Sequence, residues 1–236
     1  MTRDGFESTV DEVVDRGRAE NGVPAEPASE EVRLCFGNVE VAILRVADLR
    51  EYVDPEVLLG IEEPPDPPYW MHLWPGALVL ARRLAEIDLA GRRVLEVGCG
   101  LGLPALLAAR LGAAVVATDW QVGPLRMLRQ SAARNASRVA TVQMDWHHMA
   151  VRRHAFDLVV GADVAYDVAE EHALAVAFAE SVRPGGRLIL ADSVNTYRRG
   201  FVGRLQSLGF QMKESEVAED EEGRVVWVRL LEGERR

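Results

Sequence analysis

A short glycine loop follows an apolar segment in residues 94–104, which read VLEVGCGLGLP. The loop contains three alternating glycines, Gly98, Gly100 and Gly102. The dinucleotide fingerprint G-x-G-x-x-G would need a glycine where Leu103 stands, so the spacing disfavours a pyrophosphate. Glu96, two residues before the first glycine, would also repel a diphosphate, but it suits a ligand that carries an ammonium group. The loop therefore predicts a site for an ammonium-bearing ligand and not for NAD.

Two further acids stand at the ends of the next two predicted strands. Asp119 closes AVVATD, where its carboxylate would accept two hydrogen bonds from a ribose diol. Asp145 closes ATVQMD, where it would meet an adenine amino group, and Trp146 would lie against the adenine ring. Together with the glycine loop, these residues describe an adenosine that carries an amino acid in place of a phosphate. They predict S-adenosylmethionine as the cofactor and S-adenosylhomocysteine as its product, with Cys99 and Trp120 as further contacts.

A regular alternation of strands and helices would position these residues. From residue 92 onward, continuous Val and Leu runs are separated by amphipathic helices, as a parallel sheet covered on both faces requires. The chain closes with the segments 210–217 and 224–232, separated by an acidic turn that contains Gly223, and these predict an antiparallel strand pair. The sequence therefore predicts an α/β fold with a Rossmann-like, doubly wound sheet whose last strand is antiparallel.

The N-terminal part of the chain has a different pattern. Residues 1–31 are acidic with sparse apolar positions, which predicts a flexible extension. Two short strands on either side of Gly37 and Asn38 predict a β-hairpin, and the prolines of EEPPDPPYW exclude regular structure after it. We therefore divide the chain into an extension at 1–31, a hairpin with a proline-rich lead-in at 32–69, and a main domain at 70–236.

Four motifs of the main domain, VLEVGCGLG, VVATD, MDW and VRPGGRLIL, resemble those of the class I, seven-β-strand methyltransferases that use S-adenosylmethionine. The resemblance covers residues 70–231 and implies the strand order 3-2-1-4-5-7-6. The segment YWMHLWPGALVLARRL is similar to the lead-in of the protein lysine methyltransferases of this class, especially the branch acting on the electron-transfer flavoprotein β subunit. The resemblance implies that Trp74, Trp146 and Ala162 also contact the cofactor.

The segment ADVAYD matches the D-x-x-Y motif of that branch at Asp163 and Tyr166. A lysine must be neutral to attack a methyl group, and at pH 7 only about one in a few thousand is. The resemblance implies that Asp163 attracts the ammonium group and orients the amine, while Tyr166 walls the channel and stabilises positive charge. The residues alone leave open that Asp163 caps the following helix and that Tyr166 belongs to the core.

The composition limits the expected partners and location. The 27 basic and 37 acidic residues give a net charge of -10, which opposes a general attraction to nucleic acids or anionic membranes. Two cysteines do not suggest a disulfide framework, and no segment resembles a signal peptide or a membrane span. We expect a soluble, cytoplasmic, monomeric protein without a metal site, and the excess of Arg over Lys favours a bacterial source.

These observations predict an enzyme that methylates a nitrogen, with the lysine of a protein as its substrate. Two alternatives remain open at this point, a methyltransferase acting on a small-molecule amine and a catalytically silent module that only binds the cofactor. The intact glycine loop and Asp163 argue against the silent module. The identity of the target protein does not follow from these residues.

Overall fold

The computed structural model describes residues 27–48, 51–52, 68–193, 199–221 and 223–236. Most of the predicted N-terminal extension and of the proline-rich lead-in lies outside these described residues. The helices are α1 (Pro75–Ala85), α2 (Leu103–Arg110), α3 (Val122–Arg134), α4 (Glu171–Ser181) and α5 (Arg199–Ser207). The strands are β1 (Ser29–Phe36), β2 (Val39–Val46), β3 (Arg93–Val97), β4 (Ala114–Asp119), β5 (Val139–Gln143), β6 (Phe156–Ala162), β7 (Val182–Ser193), β8 (Phe210–Glu221) and β9 (Arg224–Arg235).

Seven strands form one sheet in the order β5-β4-β3-β6-β7-β9-β8. The strands β3 to β7 pair in parallel, whereas β9 runs antiparallel to both β7 and β8. When β3 is counted as the first strand, this is the order 3-2-1-4-5-7-6 with an antiparallel last strand. The predicted fold class is therefore confirmed.

Helices cover both faces of the sheet and leave its carboxyl edge open. The helices α1, α2 and α3 pack on one face, where Leu80, Leu106 and Leu128 are fully buried. The helices α4 and α5 pack on the other face through Phe178 and Phe201, whose ring centroids lie 6.4 Å apart in edge-to-face geometry. Ligands of doubly wound sheets bind outside the carboxyl ends of the strands. The two layers therefore set the position of the candidate site.

The predicted hairpin is present as β1 and β2, and it packs onto α3. The side chain of Asn135 accepts a hydrogen bond from the Ala42 amide (2.8 Å) and donates one to the Ala42 carbonyl (2.6 Å). The hydroxyl of Ser131 accepts a further bond from the Leu44 amide at 3.0 Å. Because Ile43 of the same strand is fully buried among the residues of α2 and α3, the hairpin shares the core of the main sheet.

The β8–β9 hairpin extends beyond the carboxyl edge of the sheet. Ser193, the last residue of β7, pairs with Val228 of β9, so residues 224–227 have no partner in β7. They pair only with residues 218–221 of β8. Four residues of strand measure about 13 Å. We call residues 218–221 and 224–227 the overhang.

No helix among the described residues is long and apolar enough to cross a membrane.

Candidate functional site

The glycine loop connects β3 to α2 and approaches its neighbours closely. Gly98, Gly100 and Gly102 all have positive φ angles, of 65°, 49° and 75°, which side chains disfavour. A Cβ atom on Gly98 would stand 2.6 Å from Cγ1 of Val164, and one on Gly102 would stand 2.5 Å from Cδ1 of Leu128. The first and third glycines therefore allow a close approach to the turn after β6 and to α3 that larger residues would prevent.

One cavity at the carboxyl edge brings together all but one of the predicted site residues. These are Trp74, Glu96, Gly98, Cys99, Gly100, Gly102, Asp119, Trp120, Trp146, Ala162, Asp163 and Tyr166. The exception is Asp145, which lines an adjoining cavity. Trp146, Asp119 and Gly98 line both cavities and so connect them.

Glu96 is buried beneath the glycine loop. Its Oε2 atom accepts a hydrogen bond of 2.9 Å from the amide of Ala105, in the first turn of α2. Burial raises the pKa of Glu96 well above its usual range, while the bond from Ala105 opposes the shift and the charge of Asp119 adds to it. The carboxyl thus joins the end of β3 to the start of α2 on the wall of the cavity.

Asp119 holds the glycine loop from the end of β4. Its Oδ2 atom accepts a hydrogen bond from the Gly100 amide at 3.0 Å, and its Oδ1 atom accepts one from the Gln121 amide at 3.1 Å. A carboxylate has about four acceptor positions, so these backbone bonds fix its direction and leave capacity for a diol. The geometry is compatible with the predicted ribose contact.

Cys99 is a packed residue of the loop. Burial, together with the charges of Asp119 and Glu96, raises the pKa of its thiol well above the usual range. A thiol held in this form is a poor nucleophile. Cys99 therefore shapes the cavity without a reactive group.

Trp146 is anchored by a residue that the sequence analysis missed. Its Nε1 atom donates a hydrogen bond of 2.8 Å to Oε2 of Glu170, which also lies 2.6 Å from Nε2 of His147. Asp145 accepts a bond of 2.8 Å from the His147 amide. The pKa of Glu170 is lowered, first by the bond from Trp146. No local motif signals this contact, because Glu170 follows 24 positions after Trp146.

Asp163 connects the W-P-G segment and the D-x-x-Y segment, which lie far apart in the sequence. Its Oδ2 atom accepts a hydrogen bond of 2.8 Å from the amide of Gly76, the second residue of α1. Its Oδ1 atom accepts two bonds of 2.8 Å from the amide and the hydroxyl of Ser193. A Cβ atom on Gly76 would stand 2.3 Å from that Oδ2 atom and 2.3 Å from the carbonyl oxygen of Ala191. The W-P-G segment and the D-x-x-Y segment therefore fit together through one carboxylate.

These contacts change the interpretation of Asp163. Three donors of the protein itself occupy both carboxylate oxygens of Asp163. The geometry therefore favours a role in positioning the cavity wall over a role in binding the substrate amine. Burial raises its pKa, and the bonds from Ser193 and Gly76 oppose that shift. The alternative of a cap on the following helix does not describe this contact, since the helix that Asp163 contacts is α1 and the residue before α4 is Glu170.

Aromatic rings form the outer wall of the cavity. The ring of Tyr69 lies 5.7 Å from that of Tyr166 and 6.0 Å from that of Trp74, both in edge-to-face geometry. The ring of His72 lies 4.8 Å from Trp74. Tyr166 is 44% exposed, so it is not a core residue. The sequence analysis included Trp74 and Tyr166 but missed Tyr69 and His72, which precede α1 in a segment without periodicity.

Asp192 is a second buried carboxyl behind Asp163. Its Oδ1 atom accepts hydrogen bonds from the amides of Val164 (3.0 Å) and Ala165 (3.1 Å). Its Oδ2 atom is buried without a hydrogen-bond partner among the described residues. Burial, with a contribution from the charge of Asp163, raises the pKa of Asp192 to about 7. Asp192 thus supports the turn between Asp163 and Tyr166.

The central segment of the chain is similar in sequence to known proteins. Residues 95–190 match the family model described as a methyltransferase domain. Histone-arginine methyltransferase METTL23 of Mus musculus is 37% identical over 107 residues, 42% of this chain and 42% of that protein. Ubiquinone biosynthesis O-methyltransferase of Xanthomonas oryzae is 35% identical over 113 residues, 45% of each chain. The matched segments therefore span less than half of either relative.

Solved structures share the fold. Magnesium protoporphyrin IX methyltransferase of Synechocystis, solved with bound SAM, has a TM-score of 0.56 and 22% identity over 67% of this chain and 77% of that one. The 16S rRNA methyltransferase RsmC of T. thermophilus, in complex with AdoMet and guanosine, has a TM-score of 0.61 and 21% identity over 90% of this chain and 52% of that one. Together with the matched family model, the strand order and the glycine loop, these likenesses confirm the resemblance drawn from the motifs: residues 95–190 match a methyltransferase domain, and the seven-stranded sheet has the fold of the class I, S-adenosylmethionine-dependent methyltransferases.

Proposed function

We propose that the chain transfers a methyl group from S-adenosylmethionine to a nitrogen of a basic side chain in a protein. Lysine is the first candidate, on the D-x-x-Y resemblance. Arginine is the second, because a histone-arginine methyltransferase is among the relatives. The observation that carries the proposal is the aromatic wall of Tyr69, Trp74 and Tyr166, since aromatic faces attract cations.

The charge of the cavity supports a cationic substrate. Among the described residues that line it, Glu96, Asp119 and Asp163 are acids and none is a lysine or an arginine. The chain as a whole carries a net charge of -10. An anionic or phosphate-bearing substrate would meet repulsion at this wall, whereas a lysine or arginine side chain would be attracted. Both arguments favour a basic protein segment over a nucleic acid.

The residues of the site fit the cofactor. Gly98, Gly100 and Gly102 line the cavity without side chains, so the backbone there can approach a ligand closely. Glu96 would hold the ammonium group of the cofactor and Asp119 the ribose, while Trp146 and Asp145 would hold the adenine. When bound, S-adenosylmethionine supplies a methyl group on a sulfonium, which is already activated for attack.

The protein must also bring the substrate amine, in its neutral form, into line with the methyl group that it attacks. Removing a lysine from water lowers its pKa, because burial disfavours the charged form. The rings of Tyr69, Trp74 and Tyr166 exclude water from the channel and limit the directions from which the amine arrives. Correct orientation of two reactants contributes several orders of magnitude to a rate. Asp163 acts indirectly, because it holds the start of α1 and the end of β7 in place.

The test is a labelling experiment with the purified protein, a cell lysate and S-adenosylmethionine that carries a labelled methyl group. Labelled proteins are hydrolysed and the amino acids are separated beside methyl-lysine and methyl-arginine standards. Methyl-lysine supports the first candidate and methyl-arginine the second. A labelled small molecule without labelled protein, or no label at all, contradicts a protein substrate. The variant Asp119→Ala, which should bind the cofactor weakly, is the control for label added by other enzymes.

A further inference from the structure

The overhang has two faces with different surroundings. Side chains alternate along a strand, so Glu219 and Glu221 share one face of β8 while Asp220 lies on the other. Glu219 is paired with Arg82 of α1, through a distance of 2.9 Å between Nη2 and Oε1. Oε1 of Glu221 lies 3.2 Å from Nε2 of His72. The face of Glu219 and Glu221 therefore turns toward α1 and the aromatic wall.

Glu221 lies close to the cavity without belonging to its floor. Its partner His72 lines the cavity and meets the ring of Trp74. The charge of Glu221 is near enough to contribute to the raised pKa of Asp163. Its own side chain is 35% exposed, so solvent and an approaching substrate can both reach it.

The other acids of the site already have partners inside the protein. Asp163 accepts three hydrogen bonds from Gly76 and Ser193, and Glu96 accepts one from α2. Glu170 is bonded to Trp146 and His147 on the side of the adjoining cavity. Glu221 contacts His72 at 3.2 Å and stands at the outer wall. It is the acid best placed to meet a cation that arrives from solvent.

We propose that Glu221 is a specificity-determining residue that pairs with the ammonium or guanidinium group of the substrate as it enters between the overhang and the aromatic wall. The inference rests on the proposed function, because it assumes a cationic protein substrate. His72 holds the carboxylate toward the entrance. The cation then passes from Glu221 to the rings of Trp74 and Tyr166, where it is removed from water.

The test compares Glu221→Gln with Asp220→Asn. Both variants remove one negative charge at neighbouring positions, and both keep an oxygen for the local bond, to His72 and to the Gly223 amide respectively. The probe is a fluorescein-labelled peptide rich in lysine and arginine, and its affinity is read by fluorescence anisotropy in the presence of S-adenosylhomocysteine. A peptide with acetyl-lysine and citrulline in place of the basic residues is the uncharged probe.

We expect Glu221→Gln to weaken binding of the basic peptide by roughly five- to tenfold, and Asp220→Asn to change it by less than about twofold. Neither variant should change the affinity for S-adenosylhomocysteine measured by calorimetry. Equal effects of the two variants, equal binding of the uncharged probe, or no binding of the basic peptide to the unmodified protein would overturn the inference. Failure of the proposed function appears separately, as absent binding of S-adenosylhomocysteine or absent protein labelling.

Discussion

Asp163→Asn isolates the contact that joins the two motifs. Asparagine tolerates the positive φ of 50° at this position, so the substitution adds little backbone strain. It replaces one acceptor oxygen by an NH2 group. The carboxylate of Asp163 accepts bonds from the amides of Gly76 and Ser193 through different oxygens. In either orientation of the new amide, one of these backbone N–H groups faces another donor.

The magnitude follows from that mismatch. Leaving one buried donor unsatisfied costs about 1–3 kcal/mol. Removing a buried charge beside Asp192 returns a part of this loss, because Asp163 and Asp192 raise each other's energy when both are ionised. We expect a net loss of about 1–2 kcal/mol in the free energy of unfolding, which lowers the Tm by roughly 2–8 °C at this chain length.

We expect Asp163→Asn to affect the rate of methyl transfer strongly and the stability only modestly. The contact to Gly76 fixes the first turn of α1 directly after Trp74, and the bonds to Ser193 fix the end of β7. A misplacement of about 1 Å in a positioning element can cost 10²-fold in rate. We therefore expect protein labelling by Asp163→Asn to fall by about two orders of magnitude, while calorimetry with S-adenosylhomocysteine shows a much smaller loss.

A double-mutant cycle with Gly76→Ala distinguishes positioning from direct contact with the amine. The added Cβ atom would collide with Asp163 and with the Ala191 carbonyl, so this variant breaks the same contact from the other side. If Asp163 acts through Gly76, the double variant should be about as slow as the slower single one. Additive losses in rate, or an Asp163→Asn protein with normal Tm and normal turnover, would refute the positioning role.

Three further substitutions test other parts of the structure. Asp119→Ala should weaken binding of S-adenosylmethionine by about 2–3 kcal/mol in calorimetry, since charge-assisted bonds to the ribose are lost. An unchanged affinity of this variant would mean that the end of β4 is misassigned. In the same assay, NAD should not bind to the unmodified protein comparably to S-adenosylmethionine. The pKa of Asp192 is raised to about 7 in the folded protein, so the folded state holds the extra proton and the free energy of unfolding should fall as the pH rises from about 4 to 7. Asp192→Asn should flatten that slope in urea titrations, and an unaltered slope would exclude Asp192 as its source. Asn135→Ala removes three buried hydrogen bonds to Ala42 and Ser131, and it should lower the free energy of unfolding by about 2–4 kcal/mol. The affinity for the cofactor should change little. A large change in that affinity would contradict a purely structural role of the contact between the hairpin and α3.

Features with a short repeat in the sequence were predictable. The parallel sheet covered on both faces follows from the alternation of apolar runs and amphipathic helices, and the glycine loop follows from the spacing of Gly98, Gly100 and Gly102. The strand order came from the resemblance to the class I methyltransferases. The carboxyl ends of parallel strands meet at one edge, so the acids at the ends of β3 and β4 were expected to face one cavity, as they do. Element boundaries do not follow from the pattern as closely: α4 begins only at Glu171, because residues 163–170 form the turn that carries Tyr166.

Features that depend on long-range contacts were not predictable. Gly76 and Asp163 are 87 positions apart, and neither shows in the sequence that the other is its partner. Asp192 was not among the predicted site residues, yet it supports the turn after β6. The overhang was also missed, because its length depends on where β7 ends relative to β9. Each of these contacts arises only when the sheet is assembled.

The acids of this site have two tasks that a single substitution cannot separate. Glu96, Asp119 and Asp163 each accept a hydrogen bond from a backbone amide in another segment of the cavity wall. These bonds favour the ionised carboxylate, whereas burial opposes it in Glu96 and Asp163. An acid of this kind shapes the cavity before any ligand enters, and its carboxyl group faces the ligand in the same space. Binding losses at these positions therefore combine a lost ligand contact with a displaced loop. Glu221 contacts His72 at the outer wall and offers a charge that can be removed while the cavity keeps its shape.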